Sequence, residues 1–200
     1  MTRFLFVVII SLMSMVATAK SIVVLGDSIS AGYGIEVTQG WVSLLQKKLN
    51  ENGSDHIIHN ESISGDTTAG GLARIDQALS LYKPDVVIIE LGANDGLRGL
   101  PPALIKSNLA ELIHRAQDAG AKVLLLAMKI PPNYGSRYIA LFYTIYPQLS
   151  KELRVPYVPF IMEDIALTKD MMQADGLHPN ANGQPFITQK VWPQLLPLLK

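Results

Sequence analysis

Four short polar stretches in this chain carry side chains able to do chemistry. They are Asp27-Ser28, Asn60 to Gly65, Gly92-Ala93-Asn94-Asp95 and Asp175-Gly176-Leu177-His178. A serine hydroxyl is a weak nucleophile until a base removes its proton during attack. Of the four histidines, His178 is the one placed to serve Ser28. Its neutral imidazole can accept that proton and later return it to a leaving group. Asp175, three residues earlier with Gly176 allowing a tight bend, can accept from the other ring nitrogen and hold the tautomer. Each stretch also has a plainer reading. A serine in a turn is most often a turn residue or helix cap. Asn94-Asp95 before a glycine is a turn signal, and Gly65-Asp66 a helix entry. Asp175-x-x-His178 is equally a surface turn or half a metal site, although no third ligand stands at metal spacing. His56 and His59 alternate on a strand-like segment and His114 sits on a helical one, so structural or solvated roles suit all three.

These stretches need elements to position them. Ile22-Val23-Val24-Leu25 is a run without alternation that stops at Gly26-Asp27-Ser28, which predicts a buried parallel strand ending in a tight turn. Apolar residues at 41, 42, 44, 45 and 49 form a helical face closed by Asn52-Gly53. His56 to Asn60 is a short strand, and a helix follows from about Thr67 to Leu81 with a threonine or Asp66 to cap it. Asp85 to Gly92 is the clearest strand, apolar on both faces. Pro101 and Pro102 open a helix that runs to Asp118 and stops at Gly120. Lys122 to Ala127 is the fourth strand; a proline-bearing loop at 130–135 leads to a helix around 136–153. The prolines of Val155 to Phe160 confine that fifth strand to an edge. A last helix spans roughly 182–199, kinked near Pro193 and Pro197. Strands alternating with helices predict a mostly parallel, five-stranded sheet covered on both faces, a three-layer α/β/α fold. Ligands of such sheets bind at the carboxyl ends of the strands, where all four polar stretches then lie.

In order and spacing, Gly26-Asp27-Ser28, Gly65 within Ser64-Gly65-Asp66, Asn94 within Gly92-Ala93-Asn94-Asp95, and Asp175 to His178 resemble the four blocks of the GDSL or SGNH hydrolases. The wording of Leu25 to Tyr33, Ser62 to Thr68, Glu90-Leu91-Gly92 and Asn94 to Gly99 is similar to the bacterial periplasmic thioesterase I/lysophospholipase/arylesterase subgroup. The resemblance spans nearly the whole chain after its first 19 residues and implies a flavodoxin-like SGNH-hydrolase fold. It implies a catalytic triad of Ser28, Asp175 and His178. It also implies an oxyanion hole made by the Ser28 and Gly65 backbone N–H groups and the Asn94 side-chain amide. Losing one such donor typically lowers the rate by about 10²–10³. Gly65 suits that role because a residue without Cβ lets an oxygen approach its backbone. Asp27 is expected to fix the turn rather than take part in chemistry.

The chain start has a leader's pattern. Arg3 precedes an apolar run from Phe4 to Met13, and small residues end in Ala17-Thr18-Ala19. This predicts a secretory signal peptide over residues 1–19, cleaved after Ala19. The alternative, a membrane anchor, is disfavoured because the apolar stretch falls short of the roughly 20 residues that span a bilayer. Residues 20–200, about 180 residues, suit a single hydrolase domain. Removing Arg3 from the 17 basic residues leaves 16 against 17 acidic ones, with no basic run to attract nucleic acid or an anionic membrane. The chain has no cysteine, which excludes disulfides, a thiol nucleophile and thiolate metal sites.

The expected product of this sequence is therefore a periplasmic or secreted serine hydrolase. By the resemblance it would cleave carboxylic esters and thioesters of acyl chains through an acyl-serine intermediate. It would need no metal and no cofactor, bind no nucleic acid, keep no membrane anchor in the mature chain and act as a monomer. A carbohydrate or aryl deacetylase is the alternative within hydrolases; a non-catalytic lipid-binding protein is the alternative outside them. An apolar acyl groove can be drawn from Leu97, Arg98, Ile130, Pro131, Tyr134 and Phe142, with Arg98 offered to a charged head group. Equally, the segment from Ile139 to Tyr146 can simply pack against the sheet.

Overall fold

The computed structural model describes residues 20–200; the leader-like residues 1–19 lie outside the described residues. The first strand, β1 (Ser21–Gly26), ends in α1 (Ser28–Ala31), and α2 (Trp41–Glu51) leads to β2 (Ile57–Asn60). There follow α3 (Thr68–Tyr82), β3 (Val86–Glu90), α4 (Ala93–Leu97) and α5 (Pro102–Asp118). The chain closes with β4 (Lys122–Leu126), α6 (Ser136–Leu153), β5 (Tyr157–Val158) and α7 (Gln184–Leu195).

The five strands form one sheet in the order β2-β1-β3-β4-β5, every neighbouring pair parallel. Val24 lies opposite Ile88, and Ile88 opposite Leu124, so the unbroken apolar runs stack across the sheet's centre. All five residues of β3 are fully buried, as a strand sandwiched between helical layers must be. α2 packs with α7 on one face, while α3, α5 and α6 pack side by side on the other. Polar bonds pin the first pair. The Trp41 N–H donates to the Gln184 Oε1 at 2.9 Å, and the Thr188 hydroxyl donates to the Trp41 carbonyl at 3.1 Å.

Three-layer α/β architecture and the edge position of β5 follow the sequence reading. Two details differ. The last helix stops at Leu195 and tightens into a 3-10 turn at Leu196–Leu199, because Pro197 brings no N–H to continue the α ladder. Two helices, α1 and α4, stand where turns were expected; at four and five residues they are too short to show periodicity. Among the described residues no helix is long and apolar enough to cross a membrane.

The strand order reverses between β1 and β3: from β1 the chain moves outward to β2, then returns to β3 on the other side. That switch point is where open α/β sheets of this order hold their ligands. Ser28 follows β1 and Asn94 follows β3.

Candidate active site

Ser28 opens α1 directly after β1, and Asp27 caps that helix by accepting the Ile29 N–H at 3.0 Å. Gly26 makes the turn possible: a Cβ there would come within 2.6 Å of the Ser30 Cβ and 2.8 Å of the Ser62 Oγ. As the first helical residue, Ser28 has an N–H with no intrahelical acceptor.

His178 comes from the segment before α7. Its Nε2 lies 2.8 Å from the Ser28 Oγ, and its Nδ1 lies 2.7 Å from Asp175 Oδ2. The other carboxylate oxygen, Oδ1, accepts the backbone N–H groups of Leu177 at 2.9 Å and His178 at 3.0 Å. This bend needs Gly176, whose φ is +67°. Because Asp175 accepts only, the Nδ1 nitrogen carries the proton and Nε2 is left to receive one from Ser28. Desolvation pushes the Asp175 carboxyl up, but hydrogen bonds from the His178 ring and the two backbone N–H groups outweigh it and hold it at about 2.

Gly65 has φ +82°, and a Cβ there would meet nothing within 4 Å, so the space over its backbone is open. Asn94 stands in α4 with its amide nitrogen 3.1 Å from Asp27 Oδ2 and 2.9 Å from the Asp66 carbonyl. Both amide hydrogens face acceptors, so the NH₂ end is turned inward toward the Ser28 and Gly65 loops; an oxyanion arriving there would share one of them. The structure thus joins Ser28, His178 and Asp175 in one hydrogen-bonded chain and links Asn94 to the Ser28 and Gly65 loops. Such a constellation can activate a hydroxyl against a carbonyl and receive the charge that develops. Among the described residues no group of three His, Cys, Asp or Glu is placed to hold a metal ion.

The chain matches a model of the GDSL-like lipase/acylhydrolase family over residues 24–185. The chain belongs to that family. Esterase TesA of Pseudomonas aeruginosa is 50% identical over 188 residues, covering 94% of each chain. The thioesterase 1/protease 1/lysophospholipase L1 of Escherichia coli K12 is 42% identical over 196 residues, covering 98% of this chain and 92% of the relative. The crystal structure of a psychrotrophic esterase, EstA of Pseudoalteromonas sp., inhibited by monoethylphosphonate, is 43% identical with a TM-score of 0.86. It covers 90% of this chain and 98% of EstA.

Within this GDSL-like chain, several residues that brace the site escape sequence reading. Arg74 of α3 pairs with Asp66 at 2.7 Å, donates to the Gly26 carbonyl at 3.2 Å and also reaches the Glu61 carbonyl. One guanidinium therefore ties together the loops after β1 and β2. Of the two caps the sequence offered α3, a threonine or Asp66, Thr67 serves, accepting from the Gly70 N–H at 3.2 Å. Asp95, fully buried, accepts the Thr68 N–H at 2.9 Å and the Thr68 hydroxyl at 2.6 Å, which fixes α4 to α3. Gln173 donates to the carbonyls of Tyr33 at 2.7 Å and Pro179 at 3.2 Å, and the Tyr33 ring lies 4.7 Å from the His178 ring. Gly34 leaves room for that clasp, since a Cβ there would strike the Gln173 side chain.

The residues drawn into an acyl groove divide. Phe142 is fully buried and Ile130 is 7% exposed; both pack against Gly96, where a Cβ would lie 2.7 Å from Ile130 and 2.9 Å from Phe142. Phe142 is thus core in this conformation, a correction to its expected place in the groove, and its ring meets Tyr146 edge-on. Leu97 and Tyr134 are half-buried and joined, the Tyr134 hydroxyl donating to the Leu97 carbonyl at 2.8 Å. Pro131 is half-buried beside them. Arg98 is exposed and donates to the Gly65 carbonyl at 3.0 Å, so one of its nitrogens already has a protein partner. Farther along, Lys129, Pro132, Ser136, Ile139, Ala140 and Tyr143 line a hollow of about 400 Å³.

Proposed function

We propose that this chain is a serine hydrolase that cleaves carboxylic esters and thioesters of acyl chains through an acyl-Ser28 intermediate. The observation that carries the reading is the unbroken contact from Ser28 Oγ through the His178 ring to Asp175, at 2.8 and 2.7 Å. Ser28 Oγ bonds to the substrate carbonyl carbon while His178 Nε2 takes the hydroxyl proton. Asp175, held ionised, stabilises the imidazolium formed. The carbonyl oxygen, now negative, receives hydrogen bonds from the Ser28 and Gly65 N–H groups and from Asn94. As the tetrahedral adduct collapses, the bond to the leaving alcohol or thiol breaks and His178 returns the proton to it. Water then attacks the acyl-serine with the same proton relay, releasing the acid and restoring Ser28.

The substrate class rests on the names of the relatives, an esterase and a thioesterase/lysophospholipase. Half-buried Leu97, Pro131 and Tyr134, with the hollow that begins at Pro132, are the surface offered to the acyl chain. The leader-like residues 1–19 support export to the periplasm or beyond, with residues 20–200 as the working domain and a monomer as the working unit. Hydrolysis rates over p-nitrophenyl esters from acetyl to palmitoyl, together with a lysophospholipid and an acyl-thioester, test the reading. Turnover that rises beyond acetyl and includes the thioester is expected; a peak confined to acetyl would move the assignment to a deacetylase, and binding without turnover to a lipid carrier.

A further inference from the structure

Glu90 ends β3 with 0% of its surface exposed. Its Oε2 accepts the Asp27 N–H at 3.2 Å and the Ser30 hydroxyl at 2.6 Å, while Oε1 is buried without a donor. Beside it is the Asp27 carboxyl, 1% exposed, on the residue whose N–H binds Glu90 Oε2, and its charge acts on Glu90. Asp27 in turn accepts the Ile29 N–H on Oδ1 and the Asn94 amide on Oδ2.

Two ionised carboxylates are acceptors only, so as close neighbours out of water they repel. One shared proton turns that repulsion into a hydrogen bond. The other charged and titratable groups around the pair leave this need in place. The His178 imidazolium, once formed, favours the Asp27 charge, Asp66 opposes it while paired to Arg74, and Asp95 and the buried Tyr146 hydroxyl flank the same space.

We propose that Glu90 is a positioning residue of the oxyanion hole, holding the proton it shares with Asp27 so that Asp27 stays ionised and fixes the NH₂ end of Asn94. This rests on the hydrolase reading above. An asparagine amide is nearly symmetric in shape, and rotation by half a turn would present its carbonyl, an acceptor, to the hole. Asp27 and the Asp66 carbonyl, both acceptors, forbid that rotamer by repulsion. A second bare charge on Glu90 would add to the field opposing a developing oxyanion, whereas a proton on Asp27 would loosen Asn94. The single-proton state with Glu90 as the acid avoids both. Burial pushes both carboxyls up, Asp27 to about 6, and Glu90, the more deeply buried, well above its ordinary value with the Asp27 charge adding to the effect.

The test is a double-mutant cycle read by kcat and KM on one p-nitrophenyl ester, with circular dichroism as the check on folding. Asn94→Ala is expected to lower kcat by about 10²–10³. Asp27→Asn should lower kcat about tenfold or more with Asn94 present, with KM little changed, but by less than about threefold in the Asn94→Ala background. Equal losses in both backgrounds would overturn the proposal, since Asp27 would then act independently of Asn94. Glu90→Gln, a neutral donor of the same shape, should keep kcat within about threefold of the unchanged chain, whereas Glu90→Ala should lose about tenfold or more. Should Glu90→Ala not fold, Glu90→Gln decides alone: a tenfold loss in kcat overturns the shared-proton role. Full activity in Asn94→Ala would instead remove the oxyanion-hole reading on which this inference stands.

Discussion

Ser28 and His178 are 150 residues apart in the chain, yet Oγ and Nε2 meet at 2.8 Å. The sheet does most of this work. β1 delivers Ser28 at its carboxyl end, and α7, which follows His178, is bolted to α2 by the Trp41–Gln184 and Trp41–Thr188 bonds. Gln173 then clasps the Tyr33 carbonyl across the two loops. A hydroxyl and an imidazole held by these bonds keep their distance without being assembled by substrate, which is the requirement for proton transfer concerted with attack.

Replacing Asp175 by Asn leaves the bend sterically intact but allows the Asn amide to donate to Nδ1. The imidazole then carries its proton on Nε2 and cannot take one from Ser28. A loss of about 10²–10⁴ in kcat with KM within a few-fold is expected, measured as initial ester hydrolysis near neutral pH. A loss confined to KM would contradict the orienting role.

Gly92 has φ +113° at the entry to α4, and a Cβ there would come within 2.6 Å of the Tyr146 hydroxyl. Gly92→Ala is therefore expected to destabilise the fold by about 1–3 kcal/mol. Thermal unfolding followed by circular dichroism checks this. Since α4 carries Asn94, activity should fall even where the variant remains folded.

Stability should respond to pH through two carboxyls of opposite sign. Asp27 is raised from 3.8 to about 6, so the folded state holds its proton more tightly than the unfolded chain. Its contribution is full below pH 3.8 and is lost as pH rises through about 6. Asp175 is lowered from 3.8 to about 2, so its contribution is present above 3.8 and lost as pH falls through about 2. Glu90→Gln removes the neighbouring acid, and its melting temperature should gain on that of the unchanged chain as pH rises from about 4 to about 7. Parallel melting curves across that range would contradict the carboxyl pairing.

The fold was legible where the physics is local or periodic. The unbroken runs at Ile22–Leu25 and Val86–Leu91 announce strands buried on both faces, and their ends place Ser28 and Asn94 at the sheet's edge. Asp175-Gly176-Leu177-His178 was readable because three residues suffice to bring a carboxylate under an imidazole. Other features depend on contacts no local pattern encodes. Glu90 reads as the tail of an apolar strand, and only pairing with β1 shows that it lies beneath the Ser28 turn. Arg74 is one charge on an amphipathic helix until Asp66 and the Gly26 carbonyl converge on it. Phe142 looks like a groove residue in an apolar stretch; the missing Cβ of Gly96 is what lets it sink into the core.

Every step of the proposed hydrolysis depends on Ser28 as the nucleophile. Its most direct test is intact-protein and peptide mass spectrometry after treatment with a p-nitrophenyl alkylphosphonate, for the unchanged chain, Ser28→Ala and His178→Ala. One adduct per chain, located on Ser28 and formed in step with loss of esterase activity, is predicted, with none in Ser28→Ala and strongly slowed labelling in His178→Ala. An adduct on another residue, or esterase activity that survives complete labelling of Ser28, would contradict it.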